Sequence, residues 1–90
     1  MRKTTKKITD AFLSHRRLTL GNTRTDGRAI YLHGNMIAKW SDDDLLITSA
    51  NWQTNTTKER LNGLPGVSIN QKNFKWFLNG KPWCGGWIKV

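Results

Sequence analysis

Apolar positions recur at two intervals along this chain. Ile8, Ala11, Phe12 and, at the margin, His15 are three and four residues apart, which puts them on one face of a helix. Thr4 or Thr5 is placed to cap that helix. Its expected span reaches about Arg17, because Arg16 and Arg17 suit the negative end of a helix dipole. From Leu18 the interval drops to two. Residues 18–20, 28–33, 36–40 and 45–50 read as short strands. Gly21-Asn22, Asp26-Gly27, Gly34-Asn35 and the acidic stretch 41–44 supply the turns between them. Strands joined by tight turns are antiparallel neighbours, so this half of the chain predicts a meander.

The second half repeats the alternation after one helical interruption. Residues 51–57 are a polar connection containing Trp52. Thr56 and Glu59 have the spacing of a capping box, which predicts a helix over 57–62, stopped by Gly63 and Pro65-Gly66. Residues 67–70 form a strand with Val67 and Ile69 inward. Residues 73–83 are the most aromatic stretch and form a hairpin. Phe74, Trp76 and Leu78 share one side of its first strand; Lys75, Phe77 and Asn79 share the other. Asn79-Gly80 tolerates the positive φ angles of a two-residue turn, and Pro82 confines the returning strand to an edge. Gly85-Gly86 reads as a flexible joint before a last strand over 87–90. The expected fold is one α+β domain over residues 1–90, with a basic arm at 1–7. A twisted antiparallel sheet of about five to seven short strands is packed by the N-terminal helix and the second short helix.

Charge adds the first functional information. The 90 residues carry 15 Lys and Arg against six Asp and Glu, a net charge of +9. Residues 1–28 hold eight basic and two acidic groups, whereas 29–57 hold Lys39 against Asp42, Asp43 and Asp44. Residues 58–90 hold six basic groups and Glu59. Such a balance attracts polyanions, above all nucleic acid. No apolar run approaches the ~20 residues of a membrane span, and no apolar segment follows the basic N-terminus as in a signal peptide. The lone Cys84 excludes an internal disulfide and suits a reducing compartment, so the expected location is cytoplasmic.

Two stretches carry candidate binding chemistry. At the second helix, a helix N-terminus offers unpaired amides to a phosphate. Thr56 and Thr57 add hydroxyls, Lys58 and Arg60 add charge, and Trp52 lies upstream to stack on a base. The structural alternative is that the threonines cap the helix and the cations are ordinary surface groups. In the hairpin, Lys75 and Lys81 flank Trp76, a mixture that binds nucleic acid by phosphate contact and stacking. Its alternative is that the aromatics are simply core. The triplet Asp42-Asp43-Asp44 reads as a solvated turn, and His15 and His33 lack metal-ligand spacing, so no metal and no cofactor is expected. No triad, carboxylate dyad or glycine-rich phosphate loop is present, so no catalytic residues are assigned and an enzyme is not expected.

Three groups of residues resemble a known family. They are Tyr31-Leu32-His33-Gly34-Asn35 with Ile37-Ala38; Trp52-Gln53-Thr54 with Thr56-Thr57-Lys58-Glu59-Arg60-Leu61-Asn62; and Gln71-Lys72 with Trp76-Phe77-Leu78-Asn79-Gly80-Lys81 and Trp83. Together they resemble a family of small uncharacterised proteins encoded by tailed bacteriophages and prophages. The resemblance implies action in the cytoplasm of an infected bacterium and brings no catalytic residues with it. Three functions remain open: a non-enzymatic binder of nucleic acid with weak sequence preference, an inhibitor of a host bacterial protein in defence or transcription, and a small binder that sequesters a nucleotide.

Overall fold

The computed structural model describes residues 3–50, 54–73 and 75–90. Helix α1 spans Lys3–Leu13, and strands β1 to β5 span Leu18–Leu20, Thr23–Thr25, Ala29–Leu32, Asn35–Ser41 and Asp44–Ile47. Helix α2 spans Asn55–Asn62. Strands β6 to β9 follow at Ile69–Lys72, Lys75–Leu78, Lys81–Pro82 and Ile88–Lys89. The class is the expected α+β, with a longer N-terminal helix and a short second one. The strands divide into two antiparallel sheets, one of six in the order β1-β2-β3-β4-β5-β9 and one of three in the order β6-β7-β8.

Turn chemistry sets the registers. His33 and Gly34 between β3 and β4, and Asn79 and Gly80 between β7 and β8, all have positive φ. That is the backbone of a two-residue turn whose twist matches its strands. Alternation then sends Ile30, Leu32, Ala38, Leu45 and Ile47 to one face of the larger sheet. Ile8, Ala11 and Phe12 of α1 pack there, with Leu61 of α2 and with Leu64 and Val67 just after it. Ile69, Trp76, Leu78 and Trp83 bring the smaller sheet into the same core. Trp40 stacks on Phe12 at 5.1 Å, while its buried indole N–H meets no acceptor among the described residues. Stacking and burial therefore hold this ring.

Both helix ends differ from their expected positions. Helix α1 starts at Lys3, so Thr4 and Thr5 lie inside it, as do Lys6 and Lys7 of the expected arm. Thr5 is fully buried. The helix stops at Leu13, four residues before Arg17. His15 takes a left-handed φ of 55°, Arg16 N donates to Ala11 O at 2.8 Å, and His15 N donates to Phe12 O at 3.2 Å. This is the Schellman closure that glycine usually makes, here made by histidine. His15 Nδ1 is 3.0 Å from Gly27 O, and a Cβ on Gly27 would sit 2.7 Å from the His15 backbone, so only glycine fits there.

For α2 the cap is Thr54, whose hydroxyl accepts from Thr57 N at 3.1 Å. The expected capping box of Thr56 and Glu59 does not form. The helix begins two residues earlier, and Glu59 instead accepts from Thr5 Oγ1 at 3.1 Å. Gly63 ends α2 at an ordinary φ of −73°. It is required for another reason: a side chain there would collide with Thr5 and Thr9 of α1.

The C-terminal segment is pinned at Gly85, where a flexible joint was expected. Gly85 O accepts from Ser49 N at 2.8 Å, Thr48 Oγ1 at 2.7 Å and Ser49 Oγ at 3.2 Å. These bonds place β9 beside β5, where Leu46 pairs with Lys89 and Ile47 with Ile88.

Candidate nucleic-acid interface

The two stretches singled out from sequence come close to one another, but little of their chemistry is open. Lys58 Nζ donates to Gln71 Oε1 at 3.3 Å, which sets α2 against β6 of the smaller sheet. Thr56 is half-buried, whereas Thr57 is fully buried and its hydroxyl is 3.0 Å from that of Thr54. Arg60 was expected to meet phosphate and is only 7% exposed. Its Nε donates to Thr23 Oγ1 at 3.0 Å, and one terminal nitrogen donates to Thr5 Oγ1 at 2.7 Å and Glu59 Oε1 at 3.3 Å. It is a tie between both helices and β2.

In the hairpin, Trp76 is 4% exposed and lies 6.1 Å from Trp83. It offers no open face to a base, because the core of so small a chain recruits it. Lys75 and Lys81 are exposed, and Lys75 pairs across the hairpin with the equally exposed Lys72. Like charges placed opposite one another repel, which makes this end of the hairpin locally positive. Trp52 and Phe74 lie outside the described residues.

A second basic and aromatic surface is visible only in the folded chain. The helices and core occupy one face of the six-stranded sheet, and the alternate positions of the same strands line the other. Arg24 and Tyr31 are direct cross-strand partners, and the Arg24 guanidinium lies 4.0 Å from the centre of the Tyr31 ring. Tyr31 also pairs with Met36 on β4. Further along β4, Lys39 pairs with Leu46, and Leu46 pairs with Lys89, so the three share one row. Lys39 Nζ lies 4.5 Å from the centre of the Trp87 ring, which is 46% exposed. Lys89 reaches Asp44 at 3.3 Å, with both side chains more than half exposed, so water screens that pair strongly.

Tyr31 alternates with Ile30 and Leu32 along the chain, which was the available signal. The Arg24 partnership needed the β2–β3 register, and the Lys39 partnership needed the docking of residue 87. Asp26 supports the β2–β3 connection. Its Oδ1 accepts from Arg28 N and Ala29 N, each at 2.9 Å. The Arg28 amide is the main reason its carboxyl titrates below the usual range; partial burial opposes this, while the Ala29 amide and the Arg24 charge add to it. Among the described residues, no three His, Cys, Asp or Glu side chains come together to hold a metal ion, and no helix is long and apolar enough to cross a membrane.

The family model for Kyanoviridae Gp96 protein matches residues 1–88. The chain belongs to that family. It is thus a phage protein, in line with the resemblance carried by its motifs. No curated protein and no solved structure matches the chain. The match spans both helices and every strand, ending within β9.

Proposed function

We propose that this phage protein is a non-enzymatic nucleic-acid-binding protein, acting mainly through phosphate contacts in the cytoplasm of an infected bacterium. The binding surface is the uncovered face of the six-stranded sheet. One observation carries this reading: Arg24, Lys39 and Lys89 share that face with Tyr31 and Trp87, and two of the cations lie against the two rings. The net charge of +9 supports it, because neutralising phosphates releases counterions. Lys72 and Lys75 form a separate basic pair on the smaller sheet, with Lys58 bonded to the adjacent Gln71, while Lys81 sits at the sheet's other end. With no base-reading motif in the sequence, weak sequence preference is expected.

The test is a salt titration of binding to an oligonucleotide by fluorescence anisotropy. Affinity should fall steeply with salt. The double variant Arg24→Gln, Lys39→Gln should reduce the slope of log affinity on log salt by about 1.4 for a single strand, about 0.7 for each phosphate no longer neutralised. A slope that is flat, or unchanged in this variant, rules the surface out.

A second reading is favoured by one feature. Trp87 and Ile88 are neighbouring exposed apolar residues, 46% and 39% exposed, at the β9 edge. The exposed Trp87 suits the anchor of a protein interface, as in a phage inhibitor of a host protein. A host protein retained from nuclease-treated lysate by the native chain, and absent with Trp87→Ser, would favour that reading. Nucleotide sequestration at the α2 start has less support, because Thr54 already takes the Thr57 amide.

A further inference from the structure

The uncovered sheet face differs in kind from a merely basic surface. We infer that its ligand is single-stranded nucleic acid held by its bases as well as its phosphates, with Tyr31 and Trp87 as the stacking residues. This rests on the proposed nucleic-acid reading and narrows it to one class of strand.

Three observations lead there. First, Trp87 is not part of the core. Trp76 and Trp83 are buried and Trp40 is stacked on Phe12, whereas Trp87 stays 46% exposed. A domain this small gains stability from every ring it buries, so a tryptophan left on the surface beside a lysine is open to a ligand. Second, both rings lie against cations, at 4.0 Å for Arg24 and 4.5 Å for Lys39. A guanidinium lying over a tyrosine is itself a plane on which a base stacks, and an ammonium beside an indole meets the phosphate of a stacked nucleotide. Half-buried Met36 and Leu46 extend an apolar floor beside them. Third, the face is too broad for a duplex groove. Six strands at ~4.8 Å spacing span about 24 Å, against ~12 Å for the major groove. A duplex laid on this face presents phosphates alone, its base planes hidden in the stack. Only an unpaired strand brings bases to rings lying on the sheet surface, Tyr31 within it and Trp87 beside its β9 edge. Tyr31 on β3 and Trp87 beside β9 are three strands apart, about 14 Å across the sheet at ~4.8 Å per strand, so a run of a few nucleotides covers both rings.

The experiment compares three labelled ligands at one salt concentration: a single-stranded oligonucleotide, a blunt duplex of the same sequence, and an abasic strand of the same length. The single strand should bind at least about tenfold more tightly than the other two. Tyr31→Ser and Trp87→Ser should each weaken single-strand binding by at least about fivefold, the lower end of the effect of one stacked base. Each should leave abasic-strand binding within about twofold. Tyr31→Phe and Trp87→Phe should restore most of the loss, and unchanged thermal unfolding would confirm that the variants are folded. Equal, salt-sensitive binding to all three ligands overturns this inference and leaves the nucleic-acid reading intact. A loss that extends equally to the abasic strand overturns the stacking role. Absence of salt-sensitive binding to any of them overturns both readings.

Discussion

The Arg60 guanidinium is held by Thr23, Thr5 and Glu59, which belong to β2, α1 and α2. A buried cation is tolerable only with such partners, and removing it strands them. Arg60→Ala should therefore lower stability by about 3 kcal/mol, read from urea unfolding. Arg60→Lys should recover little, because an ammonium on a flexible stem cannot reproduce the planar fork. A loss below about 1 kcal/mol would mean that the tie is incidental. Asp26 makes a prediction in pH. Its folded carboxyl titrates below its usual value, chiefly through the Arg28 amide. The ionised form is thus favoured by folding. Its contribution is present above the unfolded pKa of about 3.9 and is lost as pH falls through the lower folded value. Asp26→Asn keeps an oxygen acceptor and removes the charge. The stability gap between wild type and this variant should be constant from about pH 5 to 7 and should narrow below about pH 4. A gap that ignores pH would sink the assignment.

At the scale of elements, helix α2 shows how a local rule can be right in kind and displaced in position. Thr54, Thr56 and Thr57 all precede a helical run, and each is a fair cap by propensity. Residue spacing favours Thr56, because Glu59 completes a capping box. Tertiary structure chooses Thr54, because Glu59 is taken by Thr5 and Arg60. Thr54→Ala should cost about 1 kcal/mol, and Thr56→Ala only a few tenths, in the same unfolding measurement. The reverse order would show that the cap is misplaced. Helix α1 ends early for a comparable reason. His15 adopts a glycine-like conformation because its backbone packs against Gly27, twelve residues later. No pattern within α1 announces that packing. The strand edges were easier, since Asn79-Gly80 and Pro82 dictate their own geometry wherever they occur.

The whole molecule is two sheets around one core, with Phe12, Trp40, Trp76 and Trp83 turned inward. That division separates charge from its apparent sequence context. Arg60 lies in a basic run yet is internal, whereas Lys39 lies in the acidic middle segment yet stands against Trp87 on an open face. Three of the eight candidate binding residues read from the sequence, Thr57, Arg60 and Trp76, are buried. Trp52 is not among the described residues. Lys75 and Lys81 are exposed on a separate sheet, with Thr56 and Lys58 half-buried nearby.

Properties that depend on neighbouring residues were legible in the chain itself. They include the α+β class, the meander apart from β2, the hairpin turns, the two helices and the excess of positive charge. Each follows from periodicity, from the φ preferences of glycine and asparagine, or from composition, and none requires knowing what lies across the core. Folding alone decided the split into two sheets, the placement of β9 beside β5, the burial of Arg60 and the pairing of Arg24 with Tyr31 and Lys39 with Trp87. Each of these joins residues distant in the chain through a strand register or a hydrogen bond such as Thr48 to Gly85. A one-residue change of register would send the same side chains to the opposite face.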